Sequence, residues 1–456
     1  MRGMKPLCLS LFALGLPAEA LPPAASLLPL PRPELETLAV STAAERRVPS
    51  VHAVQRSLRP MLRGAVPQGF AERRAASTRP AETADPGFRR WIAGFRGRAL
   101  ARGIRPEVFD TAFDGVQLQS RVVERDRNQA EFSRTLWDYL DGAVSDARVR
   151  NGRAALAEHR DTLERIERRY RVEAEVVAAI WGLESAYGAS RGSTDIVSAM
   201  ATLAYDGRRQ DFFEAQLIAA LQILQSGDVS PRRMTGSWAG AMGHTQFMPT
   251  SYLEHAQDFN GDGRRDIWSD DPTDALASTA AYLAHFGWTY GQPWGVEVRL
   301  PQGFDYALTG ERVRRDAGFW RRAGVTLADG GQVPDHGEAS ILLPGGSEGV
   351  ALMIFDNFRV IERYNPADAY VIGVGHLSDR ITGGSAFRAG WPRGDRALTG
   401  DERRELQQRL TAAGFPTDGV DGIIGPNTTE AVRRFQRSVG ATPDGYASLR
   451  LLERLR

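Results

Sequence analysis

The chain has 456 residues, about three times the usual domain length of roughly 150, so two or three domains are expected. With 42% hydrophobic and 25% charged residues it is ordinary globular material, which excludes a wholly disordered or fibrous protein. Its 57 basic and 56 acidic residues leave a formal charge of +1, against the basic excess of a general nucleic-acid binder. At the N-terminus Arg2 and Lys5 precede the apolar run Leu7–Leu16, and Pro17-Ala18-Glu19-Ala20 offers a small-residue cleavage site. That pattern predicts a secretory signal peptide over 1–20 and a periplasmic protein, the apolar run being too short for a comfortable membrane span. Cys8 is the single cysteine and falls inside this leader, so the mature chain is expected to have no disulfide. No later run of about 18 apolar residues predicts a transmembrane helix.

Residues 21–86 are rich in Pro, Ala, Arg and Ser with mixed charge, and read as a disordered spacer. From 87 to about 391 the texture is mainly helical, with amphipathic stretches around 88–102, 130–147, 153–187, 208–226 and 274–286. A Pro/Gly-containing stretch near 383–395 then separates a small C-terminal domain over 397–456. Nearly every cation is arginine, Lys5 being the only lysine, which most simply reflects GC-rich coding.

Within the helical block, Val176, Val177, Ile180 and Leu183 recur at helical spacing, and Glu184 falls on the stripe they define. A carboxylate there is expensive unless paired or functional, and apolar surroundings favour its neutral form. A protonated glutamate is what a general acid for a glycosidic oxygen requires. The competing reading is a structural glutamate tied to one of the many arginines. Further on, Ser237-Trp238-Ala239-Gly240-Ala241-Met242-Gly243-His244-Thr245-Gln246-Phe247-Met248-Pro249 combines small residues, aromatics and short polar groups. Such a stretch suits a loop that brings backbone close to a sugar, or equally a Gly-rich turn before a helix.

The acidic run Asp258-Phe259-Asn260-Gly261-Asp262-Gly263-Arg264-Arg265-Asp266 places oxygen donors at loop positions 1, 3 and 5 and glycine at position 6. That is the opening of an EF-hand-type calcium loop, in which Arg264 at position 7 would supply only its backbone carbonyl. Ser269 stands where the bidentate glutamate of position 12 is usual, so an unmetallated Asp/Gly turn is the other reading. No histidine pair has zinc-protease spacing, and a phosphate-binding G-x-x-x-x-G-K-[ST] loop is absent. His244, alone in its loop, reads as a structural hydrogen-bonding residue.

Taken together, Glu184-Ser185-Ala186-Tyr187-Gly188, the Ala241–Pro249 segment, the acidic loop and Tyr364-Asn365-Pro366 resemble the lytic murein transglycosylase B family over roughly 88–391. The resemblance implies a mainly α, lysozyme-like catalytic domain with a calcium-loop insertion. It implies cleavage of the MurNAc-β-1,4-GlcNAc bond of peptidoglycan glycan strands without water, leaving 1,6-anhydro-MurNAc. Glu184 would act as acid and then base, with no cofactor for catalysis and a structural Ca2+ only. Ser237, Gln246, Tyr364, Asn365 and Tyr370 match cleft-lining positions, and Arg208 and Arg209 match an arginine pair of the family. Asp274 would be the distal carboxylate of the calcium loop, beside Asp258, Asn260, Asp262 and Arg264, although it also suits a helix cap. Two further readings stand beside this one: a water-using muramidase with Asp206 or another acid as second carboxylate, and a non-catalytic wall-binding scaffold.

Residues 397–456 contain Leu406–Leu410 and Ala431–Gln436 as short amphipathic helices, separated by the Asp421-Gly422-Ile423 turn and followed by Pro443-Asp444-Gly445. They are similar to the small three-helix peptidoglycan-binding domain, except that Ser448 replaces the glycine expected after the second turn. A helical docking module without glycan affinity is the alternative. The sequence identifies no protein partner.

Overall fold

The computed structural model describes residues 85–127 and 134–456; the expected leader and nearly all of the expected spacer lie outside the described residues. Asp85 caps the first helix by accepting from the Gly87 and Phe88 amides, and Pro86 occupies a position where a missing N–H costs nothing. Helices α1 (Pro86–Ala101), α2 (Pro106–Ala112), α3 (Ser120–Arg127), α4 (Leu136–Ala143), α5 (Asp146–Glu158), α6 (Arg160–Tyr170) and α7 (Ala174–Ser185) follow in order. The stretch expected to be helical over 153–187 is thus divided among three helices. Arg171, at φ 55°, ends α6 in the left-handed region where a glycine would have advertised the break.

The antiparallel pair β1 (Thr194–Asp195) and β2 (Thr235–Gly236) brackets α8 (Ile196–Asp206) and α9 (Gln210–Ser226), which pack on each other. Helices α10 (Pro249–His255) and α11 (Thr273–His285) flank the acidic loop. The large core gathers Ile180, Met200, Leu217, Phe247, Leu276 and Phe358, all fully buried. Burial of each such side chain contributes about 1.5–3 kcal/mol.

A lobe the sequence reading did not anticipate lies between α11 and the last helices of the catalytic domain. Its strands β3 (Gly295–Arg299), β4 (Thr326–Leu327), β5 (Ser340–Leu342) and β6 (Ala351–Ile354) form an antiparallel sheet in the order β4-β3-β6-β5. Met353 is paired with Val296 on one side and Ile341 on the other. Together with α12 (Ala317–Arg322) the sheet closes a second core around Trp320, Ile341, Met353 and Phe355. The chain then returns through α13 (Asp356–Tyr364) and α14 (Asp368–Ile381). Helix α14 packs on α4, α5 and α7 and buries Val371, Ile372, Val374 and Leu377 completely, so both faces of this helix lie inside the domain.

The segment after α14 is strapped down rather than loose. Arg393 pairs bidentately with Asp141 at 2.8 Å, the Arg388 and Ala389 amides donate to Glu297, and Trp391 stacks on Trp137. The C-terminal domain is α15 (Gly400–Ala412), α16 (Pro426–Ser438) and α17 (Leu449–Leu455) around Leu406, Leu410, Val432 and Leu452. Its two turns are built alike: Gln407 donates to Asp421 and accepts from Gly422, while Gln436 donates to Asp444 and accepts from Gly445. Ser448, in place of the expected glycine, caps α17 by accepting from the Leu451 amide.

Candidate active site

Glu184 sits one residue before the C-terminus of α7, where the stripe that buries Val176, Val177 and Ile180 carries it inward; it is 6% exposed. The Tyr370 hydroxyl, from α14, donates to its Oε1 at 2.8 Å. Tyr370 in turn lies parallel to Tyr364, ring centroids 6.5 Å apart, and the Tyr364 hydroxyl donates to the Thr245 carbonyl at 2.6 Å. One chain of contacts therefore runs from the glutamate through two tyrosines to the Gly-rich loop.

The turn after Glu184 is backbone of an unusual kind. Ala186 and Tyr187 both have positive φ, 52° and 58°, and Gly188 follows at 85°. Without glycine at the first two positions, surrounding contacts must hold the turn. The Ser185 hydroxyl donates to the His244 carbonyl at 2.5 Å and accepts from the Gly188 amide, and Tyr187 donates to the Arg148 carbonyl at 2.9 Å. The Tyr187 ring also fills the space where a Cβ on Gly182 would stand, 2.5 Å from its Cζ. Glycine at 182 is thus a packing requirement two residues before Glu184.

In the loop, Met242 and Phe247 exchange backbone hydrogen bonds, and the Ser237 hydroxyl accepts from the Ala241 amide. Gln246, at φ 56°, donates through Nε2 to the carbonyls of Gly243 at 2.8 Å and Arg191 at 3.0 Å. Both amide hydrogens are therefore committed to the loop, and only Oε1 is left to meet a sugar as acceptor. Trp181 donates to His244 Nδ1 at 3.1 Å, which leaves Nε2 as the ring donor toward the Ser269 carbonyl at 2.7 Å. Burial holds the His244 ring neutral, lowering its pKa. It serves as a structural bridge, as the sequence suggests. Asn365 accepts from the Ala367 amide and so opens α14 beneath Tyr370.

Two neighbours of Glu184 escaped the sequence reading. Burial and the charge of Glu184 push the Tyr139 phenol up, so it stays protonated beside the carboxylate. Arg148, half-buried on α5, donates to the Gly182 carbonyl at 2.5 Å. Neither local sequence carries a distinguishing motif; only the packing of α4 and α5 on α7 and α14 brings them in.

The arginine pair engages a carboxylate that the sequence reading did not name. Arg208 Nε and Arg209 Nη2 grip the two oxygens of Asp126 on α3, at 2.7 and 2.8 Å, and that aspartate is 1% exposed. Arg209 also lies 4.7 Å from the Phe213 ring centroid. Asp206, the candidate second carboxylate, is paired with Arg127 at 2.6 Å.

In the acidic loop, Asp258 accepts from the Gly261 and Gly263 amides, Asn260 from Asp262, and Asp262 from Arg264. Gly261 and Gly263 have φ of 80° and 86°, the conformation such a tight loop needs. Asp274 is buried in the first turn of α11, and instead of capping that helix it accepts from Phe259, Asn260 and Asp266. Burial pushes its carboxyl up. Oxygen-only donors at positions 1, 3 and 5 on a glycine-hinged turn fit a hard cation such as Ca2+.

A helical domain holding a buried glutamate that a tyrosine pair links to a close-packed glycine loop is the design of a lysozyme-like, glycan-cleaving enzyme. Residues 87–379 match the Transglycosylase SLT domain, and residues 399–455 match a peptidoglycan binding domain. The chain belongs to the lytic murein transglycosylase B family of peptidoglycan lytic transglycosylases. The Membrane-bound lytic murein transglycosylase B of Escherichia coli K12 is 32% identical over 250 residues, 53% of this chain and 66% of that relative. The structure of SltB3 from Pseudomonas aeruginosa in complex with NAG-anhNAM-pentapeptide is 50% identical, with TM-score 0.79 over 82% of this chain and 100% of that one. The Escherichia coli lytic transglycosylase Slt35 in complex with calcium is 28% identical, with TM-score 0.55 over 65% and 93% of the two chains.

Proposed function

We propose that this enzyme cleaves the MurNAc-β-1,4-GlcNAc bond of peptidoglycan non-hydrolytically, with Glu184 as acid and then base. The observation that carries this reading is the buried carboxylate of Glu184 held by the Tyr370 hydroxyl at 2.8 Å. Glu184 protonates the leaving GlcNAc oxygen while the MurNAc acetamido group stabilises the positive charge developing at C1. The resulting carboxylate takes the proton of the C6 hydroxyl, whose oxygen closes onto C1 to give the 1,6-anhydro end. Proton loss and gain balance on one residue, so the cycle needs neither a second carboxylate nor a metal. The ion pair of Asp206 with Arg127 favours this over the two-carboxylate hydrolase. The anhydro sugar named in the SltB3 complex supports the same product class.

Ser237, Gln246, Tyr364 and Asn365 shape the cleft, the first two through the loop and the others through the α13–α14 junction. For Arg208 and Arg209 we propose that any contact with glycan is secondary to holding α3. Asp258, Asn260, Asp262, the Arg264 carbonyl and Asp274 would hold a structural Ca2+, in keeping with the calcium in the Slt35 structure. The peptidoglycan-binding match supports attachment of residues 397–456 to glycan strands. Export after cleavage at Ala20 would place the enzyme in the periplasm with its substrate; no described helix is long and apolar enough to cross a membrane.

Purified wild-type protein should release muropeptides from isolated sacculi with termini lighter by one water, and Glu184→Gln should lose at least about 1,000-fold of that rate. Equal release by the two proteins refutes the assignment of Glu184. Reducing MurNAc termini would identify the hydrolase instead.

A further inference from the structure

Away from Glu184 and from the acidic loop, three carboxylates converge at the junction of the sheet lobe with the last two helices of the catalytic domain. Glu311 comes from the loop before α12, Glu362 from α13 and Asp368 from the first turn of α14. One oxygen of each lies within 4.8 Å of the others. Asp368 is 6% exposed, and its buried Oδ2 has no hydrogen-bond partner. The charges of Arg359, Arg312 and Arg363 offset the cluster only in part, and its carboxyls stay raised. Arg314 binds Asp356 and Glu338, while Arg359 reaches Asp356 and donates to the Glu311 carbonyl and the Ser340 hydroxyl. Burial raises the proton affinity of all three carboxyls, and the charge of Glu311 adds to the rise at Asp368 and at Glu362, which is pushed up to about 8. Three clustered carboxylates with a buried, unpartnered oxygen are costly without a compensating cation.

We propose that Glu311, Glu362 and Asp368 form a second divalent-cation site, for a hard ion of the Ca2+ class, distinct from the acidic loop. The donor set is all oxygen, which selects Ca2+ or Mg2+ over soft metals. Oxygens gathered within 4.8 Å of one another can share one such ion, and the looser coordination that Ca2+ accepts suits ligands drawn from three separate elements. Such an ion would join the sheet lobe to the α13–α14 corner, which carries Tyr364, Asn365 and Tyr370. Its effect would be to fix that corner relative to the lobe; it takes no part in proton transfer.

The test uses full-length protein stripped with EDTA, then CaCl2 alone as the probe. In a D258N/D262N/D274N background, which strips the loop of its three carboxylate ligands, ~5 mM Ca2+ should raise the melting temperature by roughly 2–4 °C. Equilibrium dialysis should count one bound ion, and adding E362Q/D368N should abolish both signals. Losing two repelling charges should leave that variant at least as stable as its parent without metal. If the loop-neutralised protein takes up no Ca2+, or if its Ca2+ survives E362Q/D368N, the site does not exist. Should the loop-neutralised protein fail to fold, E362Q/D368N in the otherwise wild-type chain decides: the count must fall by one, and an unchanged count overturns the proposal.

Discussion

At the scale of single residues, Glu184 is made useful by what fixes it. The Tyr370 hydroxyl anchors its Oε1, while Ser185, Tyr187 and Gly188 hold the left-handed turn behind it. A Tyr370→Phe variant keeps the ring and its stacking on Tyr364 but loses this bond. Removing a hydrogen bond to a charged group costs about 1.5–3 kcal/mol, so kcat on glycan strands should fall about 10–100-fold while KM changes little. A rise in KM at unchanged kcat would mean that Tyr370 binds sugar and does not position the carboxylate. A second residue gives the fold a pH dependence of its own. His376 stacks on Phe387 with centroids 3.9 Å apart, and burial, helped by Arg380, lowers its pKa to about 4. An unfolded histidine titrates near pH 6.5, so the stability it contributes is complete above that value and is lost as pH falls toward 4. Thermal melts between pH 6.5 and 4 should show an acid loss of up to about 3 kcal/mol, which His376→Gln should flatten.

At the scale of elements, what was legible in the sequence follows local pattern and what was hidden depends on distant packing. The stripe of Val176, Val177 and Ile180 announces α7 and the inward position of Glu184, because 3.6-residue periodicity is a local property. The division of the 153–187 stretch is not announced, since Arg171 adopts a positive φ without glycine. The sheet lobe is equally silent. Its strands are two to five residues long, too short for alternation to show, and they are stabilised by partners up to about 60 residues away in the chain. The arginine pair shows the same limit from the other side: the motif match singles out Arg208 and Arg209, but not Asp126, the carboxylate on a distant helix that folding brings between them. Asp126→Ala would leave two half-buried guanidinium groups facing each other without their shared carboxylate. It should destabilise the domain by about 3–5 kcal/mol in urea melts. If instead the arginines serve mainly the glycan, stability would hardly move and KM would rise.

At the scale of the whole molecule, the C-terminal domain is docked to the catalytic domain by one of its two equivalent turns. Asp421 in the first turn accepts from Gln407 and the Ile423 amide of its own module, whereas Asp444 in the second divides its oxygens. Oδ1 accepts from Gln436 and from the Tyr446 amide, and Oδ2 accepts from the Ser347 amide at 2.8 Å and the Ser347 hydroxyl at 2.9 Å. Arg433 adds a bond to the Thr309 hydroxyl at 2.7 Å, so the module leans on the sheet lobe near β5. This contact explains why the second turn can depart from the usual pattern: its job includes docking, and Ser448 supplies the helix cap that remains necessary. Asp444→Asn separates the two roles. The carbonyl of asparagine can keep the Oδ1 bonds of the turn, but an NH2 in place of Oδ2 would face the Ser347 N–H donor to donor. The module should stay folded while its hold on the lobe weakens by about 1–3 kcal/mol. Arg388, Arg393 and Arg396 lie in the strap between the domains, and trypsin must free that strap before it can cut. When strap opening is faster than cleavage, the rate follows the open population. Limited trypsin digestion of D444N should therefore separate the two domains roughly 5–100-fold faster than it does the wild type, with each product retaining its helical circular dichroism. An unchanged cleavage rate would show that the strap's own contacts, to Glu297, Asp141 and Trp137, hold it without help from the docked turn.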